Sequence, residues 1–279
     1  MPNPVPTWNL NGPLLLAGCG KMGGAMLAGW LSSGLNPADV LIQEPNPSPD
    51  LIKFCAMKGV SLAASQSPAT APAVIIMAVK PQAMADVFPA LAKRAAPHTI
   101  ILSIAAGKTI ASFEQHLPAN PAVVRAMPNT PAAISRGITV LCPNRHVTPA
   151  QRALCEQLMS AVGETGWVDD ENLMDAVTAV SGSGPAYVFL LAEAMTQAGI
   201  NAGLAPTLAT QLARATIAGS GELMRQSPEI PAATLRQNVT SPGGTTAAAL
   251  DVLMADDGLT PLMDRAIAAA TARGKALAK

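Results

Sequence analysis

The pattern of hydrophobic positions divides the chain into two halves. In the first half, short apolar runs alternate with stretches, such as residues 23–33 and 82–95, that carry Ala, Leu and Met at helical spacing. This alternation predicts buried strands joined by helices in βαβ units. The predicted strands are residues 14–17, 40–43, 74–79, 99–104, 123–126 and 138–141. Residues 13–168 are therefore predicted to form an α/β domain with a parallel, doubly wound Rossmann-type sheet.

The second half has the pattern of an all-α domain. Strand signals stop after residue 166, and Ala-, Leu- and Met-rich segments are separated by Gly and Pro clusters that punctuate helices. The predicted helices include residues 171–180, 185–198, 205–224 and 245–254. So many apolar positions predict helices buried on more than one face, hence a homodimer that packs through residues 169–279. A compact monomeric bundle is the alternative.

Composition limits the classes of partner. The 18 basic residues balance the 18 acidic ones and form no block, so no nucleic-acid partner is expected. No run approaches the roughly 20 apolar residues of a membrane helix, so a soluble protein is expected. The four cysteines lie far apart without a Cys-x-x-Cys pair, which argues against a metal site or a disulfide framework and fits the cytoplasm.

A glycine-rich loop follows the first predicted strand. Gly18, Gly20 and Gly23 have the Gly-x-Gly-x-x-Gly spacing between a strand and a helix. Gly18 is predicted to form the tight turn, Gly20 to let the backbone approach a diphosphate, and Gly23 to let the helix pack closely on the sheet. The loop predicts a dinucleotide site, with an ordinary glycine turn as the weaker alternative.

The end of the second predicted strand bears on cofactor choice. Glu44 follows Gly23 by 21 residues, where a carboxylate commonly binds the adenosine ribose, and this favours NAD. Since no Arg or Lys lies between Glu44 and Ile52, a 2′-phosphate would depend on Asn46, Ser48 and backbone amides, with Glu44 turned aside. The cofactor is thus predicted as NADH or NADPH.

Two later strands also end in candidate site residues. Lys80 and Pro81 follow the strand at residues 74–79, at the edge where α/β sheets bind ligands, although a lysine there is often only solvated. Small residues at 103–107 follow the next strand and would let a nicotinamide ring lie against the backbone. Both loops are therefore predicted at the cofactor site.

The sharpest segment of the helical half is residues 238–246, Asn-Val-Thr-Ser-Pro-Gly-Gly-Thr-Thr. It predicts a helix start whose amides, approached through glycines, suit a carboxylate. A capped helix without a ligand is the alternative. A second loop at residues 181–187 holds the chain's one tyrosine, Tyr187, which either lines the same cavity or packs between helices.

Together, residues 18–23, 78–81, 181–187 and 240–246 resemble the pyrroline-5-carboxylate reductase family. The resemblance implies a Rossmann domain, a helical dimerisation domain often assembled into larger rings, and NAD(P)H-dependent reduction of 1-pyrroline-5-carboxylate to proline. The implied cofactor contacts are Ala17, Gly18, Cys19, Gly20, Lys21, Met22, Ser48, Ala78, Val79, Lys80, Pro81 and Ala106, and Glu171 is expected to approach them. The implied substrate residues are Ser241, Gly244, Thr245 and Thr246, with the Thr246 hydroxyl, or a water, at the ring nitrogen as the catalytic group. Ser65 departs from relatives that carry Asn near the ribose.

Three rival functions follow from the same residues. A β-hydroxyacid dehydrogenase needs a helix lysine as its acid, and no lysine lies between Thr109 and Gly274. An imine reductase of another substrate needs the same hydride geometry and is harder to separate. A non-catalytic dinucleotide-binding protein is disfavoured by the intact loop at residues 240–246, although intact residues alone do not prove turnover.

Overall fold

The computed structural model describes residues 8–62 and 70–277. Contacts divide the chain into two compact units, one running to Gly182 and including the chain end from Ala270, the other comprising Ser183–Ala269. The predicted boundary between residues 168 and 169 stays a prediction, because compactness alone does not define a domain. Ser65 lies outside the described residues.

One mixed sheet organises the first unit. Within the described residues, eight strands pair in the order β3-β2-β1-β4-β5-β6-β7-β8. The strands are β1 Leu14–Ala17, β2 Val40–Gln43, β3 Ser61–Leu62, β4 Val74–Met77, β5 Ile100–Ser103, β6 Ala122–Met127, β7 Gly137–Pro143 and β8 Gly163–Trp167. The crossover from β3 to β4, on the far side of β1, is the reversal of strand order at which doubly wound folds bind dinucleotides.

The sheet is not parallel throughout, which corrects the sequence-based expectation. Strands β1 to β6 are mutually parallel, whereas β7 pairs antiparallel with β6 and β8 runs parallel to β7. The connection from Met127 to Gly137 holds only a short 3₁₀ turn, Thr130–Ile134, and is too short for a crossover helix. Strand β8 was not predicted, because Gly163–Trp167 contains two glycines and no apolar run.

Helices cover both faces of the sheet, which confirms the doubly wound prediction. They are α1 Lys21–Ser32, α2 Pro49–Lys58, α3 Met84–Ala92, α4 Ile110–Glu114, α5 Pro149–Ser160 and α6 Met174–Val177. Alternate residues of β1 enter two different cores: Leu14 and Leu16 pack with α1, α2 and α5, while Leu15 and Ala17 pack with α3, α4 and α6. A buried hydrogen bond from Trp30 Nε1 to the Leu158 carbonyl (2.8 Å) joins α1 to α5.

The second unit is helical, as predicted. Its helices are α7 Gly184–Asn201, α8 Pro206–Gln226, α9 Ala232–Asn238 and α10 Thr245–Leu253, and α11 Leu259–Leu277 starts within it. In the described part of this unit, Ala209 and Ala213 of α8 are the buried apolar residues. Large apolar side chains on α7 and α8 are exposed, among them Val188, Phe189, Leu190, Leu191, Leu208 and Leu212. These helices leave much apolar surface uncovered within one chain.

Candidate functional site

The glycine loop is held against the end of β4. Gly18 has a φ of +86°, in the region that glycine adopts readily. A Cβ at this position would lie 2.7 Å from the Ala78 carbonyl oxygen and 2.9 Å from the Val79 amide nitrogen. A Cβ on Gly23 would lie 2.6 Å from the Gly18 carbonyl oxygen. Both glycines therefore permit close backbone approach, and two of the predicted cofactor segments meet here.

Beside this loop lies an open cleft of about 600 Å³. Gly20 is the N-cap of α1 and is exposed, and, its chain neighbours aside, no described residue has an atom within 4 Å of the place a Cβ would take. The lining residues are Cys19, Gly20, Lys21, Gly24, Leu27, Ala28, Glu44, Asn46, Ser48, Asp50, Leu51 and Phe54. A helix N-terminus that opens onto a roomy cleft through a side-chain-free position suits a diphosphate.

The wall of the cleft at the end of β2 is built around Glu44. Its Oε2 accepts a hydrogen bond from the Cys19 amide (3.0 Å), and its Oε1 accepts one from the Asn46 amide (3.2 Å). The pKa of the Cys19 thiol is raised to about 12, chiefly because the thiol is buried, and further because of the electrostatic effect of Cys55 and Glu44. Ser48 caps α2 by accepting from the Leu51 amide (3.2 Å). Cys19, Gly20, Lys21 and Ser48, four of the cofactor contacts that the family resemblance implies, all line this one cleft.

The other predicted cofactor residues are distributed around this edge of the sheet. Ala17 is buried at the end of β1, and Met22 packs partly into the core below α1. Lys80 is exposed and Pro81 begins a 3₁₀ turn after β4. Ala106 follows β5, whose last residue pairs with the last residue of β4, so both loops leave the sheet at the same edge.

An ion pair that sequence analysis did not find lies beside the Ala106 loop. Arg125 Nη1 lies 2.6 Å from Glu171 Oε1, and the same oxygen accepts from the Ile110 amide (2.8 Å). Arg125 is buried on β6, opposite Ser103 of β5. The carboxylate thus joins β6 to the first residue of α4. Its partners are 46 and 61 residues away in sequence, so no local motif reveals them.

Removing the Glu171 carboxylate is expected to destabilise the first unit. Glu171→Ala leaves the buried Arg125 guanidinium without its counter-ion, and breaking such a pair typically costs about 3–5 kcal/mol. Urea unfolding of the full chain at neutral pH measures the loss. The control is Asp169→Ala, which breaks the exposed Arg152–Asp169 pair (3.1 Å) and should cost at most about 1 kcal/mol. Equal losses in the two variants would contradict a structural role for the buried pair.

In the second unit, the segment before α10 forms a tight turn. The Ser241 carbonyl accepts from the Gly244 amide (3.0 Å), Pro242 follows Ser241, and Gly243 has a φ of +68°. Proline second and a left-handed glycine third is the sequence pattern of a type II turn. Helix α10 starts at the next residue, and its N-cap, Gly244, makes no side-chain capping hydrogen bond.

The predicted substrate residues in this turn differ in whether their backbone amides are available and in how exposed they are. The first helical bond runs from the Ala248 amide to the Gly244 carbonyl (3.2 Å), so the amides of Thr245 and Thr246 precede the helical ladder. The Gly244 amide already donates within the turn, and a Cβ on Gly244 would lie 3.1 Å from the Ser241 carbonyl oxygen. Ser241 and Thr245 are exposed, and Thr246 is half-buried. The arrangement can hold an anion at the first turn of α10.

The loop at residues 181–187 begins with an uncommon helical turn. A π-helical turn, Thr178–Gly182, precedes α7, and such turns frequently mark functional sites. The Ser181 hydroxyl is buried and has no hydrogen-bond partner within the part of the chain that the structure describes. Tyr187 lies in the first turn of α7 and is half-buried.

Across residues 8–62 and 70–277, no cluster of three or more His, Cys, Asp or Glu side chains could hold a metal ion. Over the same ranges, none of the helices is both long and apolar enough to cross a membrane.

A doubly wound sheet with a glycine loop at its switch point, in a chain that also has a helical unit, defines a dinucleotide-binding protein. The protein-family model described as NADP oxidoreductase, coenzyme F420-dependent, matches residues 14–107. The family model described as pyrroline-5-carboxylate reductase dimerisation matches residues 171–277. Curated pyrroline-5-carboxylate reductases that are 40–42% identical to this chain cover 94–95% of it, so the chain belongs to the pyrroline-5-carboxylate reductase family, which confirms the predicted resemblance.

Individual relatives are similar to this chain over nearly its whole length. Pyrroline-5-carboxylate reductase of Pseudomonas aeruginosa is 42% identical over 94% of this chain and 95% of its own, and that of Mycobacterium tuberculosis is 40% identical over 95% and 96%. The structure of the Coxiella burnetii enzyme has a TM-score of 0.87 at 34% identity, covering 96% of this chain and 99% of that one. The Plasmodium falciparum enzyme, solved with NADP bound, has a TM-score of 0.78 at 27% identity over 96% and 99%.

Proposed function

We propose that the chain is a pyrroline-5-carboxylate reductase, which reduces the imine of 1-pyrroline-5-carboxylate with NADH or NADPH to give L-proline, the last step of proline biosynthesis. The observation that carries the proposal is identity of about 40% to curated reductases across both halves of the chain. Such coverage includes both the glycine loop and the loop before α10, so the comparison extends beyond the common dinucleotide fold.

The cleft fits the cofactor that the proposal requires. Gly20 leaves space at the N-terminus of α1 for a diphosphate, and Lys21 adds a positive charge at the same place. When bound, the reduced nicotinamide supplies the hydride. The loops that contain Lys80, Pro81 and Ala106 are proposed to contact the cofactor, as the family resemblance implies.

The loop before α10 is proposed to bind the substrate. The amides of Thr245 and Thr246 would bind the carboxylate, with Ser241 and Gly244 forming the turn that presents them. The Thr246 hydroxyl, or a water that it positions, would donate a hydrogen bond to the ring nitrogen. Because a protonated imine is already electrophilic, the protein's contribution is anion binding and alignment.

A homodimer is proposed to cover the apolar faces of α7 and α8. Phe189, Leu190 and Leu212 are each about half exposed or more, which a lone chain would leave in water. The match of residues 171–277 to a dimerisation model supports this assembly, and a larger ring built from dimers is part of the proposal. The proposed location is the cytoplasm, in keeping with four free cysteines in the described residues.

The test of the proposal is loss of reduced-nicotinamide absorbance with purified full-length protein, 1-pyrroline-5-carboxylate, and NADH or NADPH offered separately. Substrate-dependent oxidation and proline formation are expected. Oxidation with other cyclic imines alone would reassign the enzyme as another imine reductase. Dinucleotide binding without oxidation of any imine would favour a non-catalytic binding protein.

A further inference from the structure

Glu44 lies at the end of β2, where dinucleotide folds place the adenosine ribose, and its side chain lines the cleft. We infer that Glu44 makes this chain bind NADH in preference to NADPH, an inference that rests on the proposed reductase function. The relative from Plasmodium falciparum was solved with NADP bound, so the inferred preference for NADH does not follow from family membership. It is inferred from this chain's own residues.

The two hydrogen bonds of the Glu44 carboxylate leave it able to accept two more. Oε2 takes the Cys19 amide at 3.0 Å, and Oε1 takes the Asn46 amide at 3.2 Å. An ionised carboxylate has about four acceptor positions, two on each oxygen. Among the described residues no other donor bonds to either oxygen, so one position on each remains, which matches the two hydroxyl donors of an unmodified ribose.

The same two bonds hold the carboxylate in place. From sequence alone, a 2′-phosphate could be accommodated with Glu44 turned aside. In the structure, turning aside would take the acceptor from the amide of Cys19, a residue that is only 8% exposed. An amide in a nearly buried residue that loses its acceptor is costly, so the structure disfavours this rearrangement. A 2′-phosphate would then meet a fixed negative charge.

The charges around the cleft do not offset that repulsion. Among the described lining residues, Glu44 and Asp50 are acidic and Lys21 is the one cation. Lys21 begins α1, at the end expected to bind the diphosphate that both cofactors share. Arg94, the cation near the end of β2, donates to the Gln43 side chain (3.3 Å) and is not part of the lining.

Calorimetric titration of the full-length protein tests the inference without turnover. The probes are NADH and NADPH, then ADP-ribose and 2′-phospho-ADP-ribose, which lack the nicotinamide and isolate the adenosine end. We expect each unphosphorylated probe to bind at least about tenfold more tightly than its phosphorylated counterpart, because like charges brought together are strongly unfavourable. Equal or tighter binding of the phosphorylated probes would overturn the inference while leaving the reductase proposal intact. Failure of every probe to bind would overturn both.

Two charge-neutralising variants assign the effect to one residue. Glu44→Gln keeps the side-chain size and should reduce the preference at least about fivefold, because both the repulsion and one ribose acceptor are lost. Asp50→Asn removes the other acidic charge of the cleft and should change the preference by less than about twofold, because an exposed charge is screened. A shift in Asp50→Asn as large as that in Glu44→Gln would remove Glu44 as the determinant. Circular dichroism and thermal unfolding establish that each variant is folded.

Discussion

Gly20→Ala is expected to leave the protein folded and to weaken dinucleotide binding by roughly 10- to 100-fold. Gly20 has an ordinary φ of −72°, and its added methyl would meet no atom of the described residues within 4 Å, its chain neighbours aside. The methyl would instead occupy the cleft at the N-terminus of α1, where the backbone must approach the diphosphate. Crowding of a close contact costs about 1–3 kcal/mol, which corresponds to roughly this loss of affinity. Calorimetric titration with NADH gives the dissociation constant.

Gly18→Ala is the contrasting variant in the same loop. Its methyl would lie 2.7 Å from the Ala78 carbonyl oxygen, at a residue whose φ is +86°. We therefore expect a lower thermal unfolding midpoint, from a cost on the order of 1–3 kcal/mol. Gly20→Ala should keep the wild-type midpoint. If Gly20→Ala binds NADH as tightly as the wild type, the diphosphate does not lie at this loop.

The β1-loop-α1 segment could be predicted because its signals are local. The apolar run of β1, the glycine spacing and the helical pattern of α1 lie within 20 residues, and the structure has them in that order. The direction of β7 could not be predicted, because strand pattern records burial and not orientation. The connection after Met127 is too short for a parallel crossover between adjacent strands. This argument can be made only once β6 and β7 are known to be neighbours in the sheet.

Contacts between distant residues explain the parts of the site that were missed. Glu44 was placed correctly at the end of β2, but its bond to the Cys19 amide spans 25 residues and decides whether the side chain can turn aside. Arg125 and Glu171 gave no motif in sequence, because a partly buried pair between a strand and a 3₁₀ turn has no fixed spacing. The unfavourable cost of burying a charge predicts only that such a group has a partner.

The turn before α10 shows how a local sequence can predict a site's shape without its ligand. Pro242 and the two following glycines specify the turn, and the absence of a side-chain cap on this helix leaves its first amides available. The same geometry would serve any small carboxylate. Selection for a cyclic imino acid must therefore depend on a group that recognises the ring nitrogen, and Thr246 is the candidate.

Thr246→Ala is expected to lower kcat about 100-fold, the scale of losing one well-placed hydrogen-bond donor. The variant keeps the Thr246 amide and should keep α10, because Gly244 is the N-cap and alanine favours helices. Affinity for NADH should be unchanged by calorimetry. The KM for 1-pyrroline-5-carboxylate should rise less than kcat falls, because the carboxylate would still be bound by the amides of Thr245 and Thr246.

Two further substitutions separate the hydroxyl from the shape of the side chain. Thr246→Val keeps the branched shape without the hydroxyl and should be as slow as Thr246→Ala, whereas Thr246→Ser restores the hydroxyl and should recover most of kcat. Full activity in Thr246→Val would exclude the hydroxyl from the reaction. Full activity in Thr246→Val together with loss in Thr246→Ser would mean that Thr246 acts by packing. Loss of kcat in Thr246→Val with recovery in Thr246→Ser is the result that supports hydrogen bonding to the ring nitrogen, directly or through a water. Such a bond is needed because binding of the carboxylate alone does not distinguish one imino acid from another.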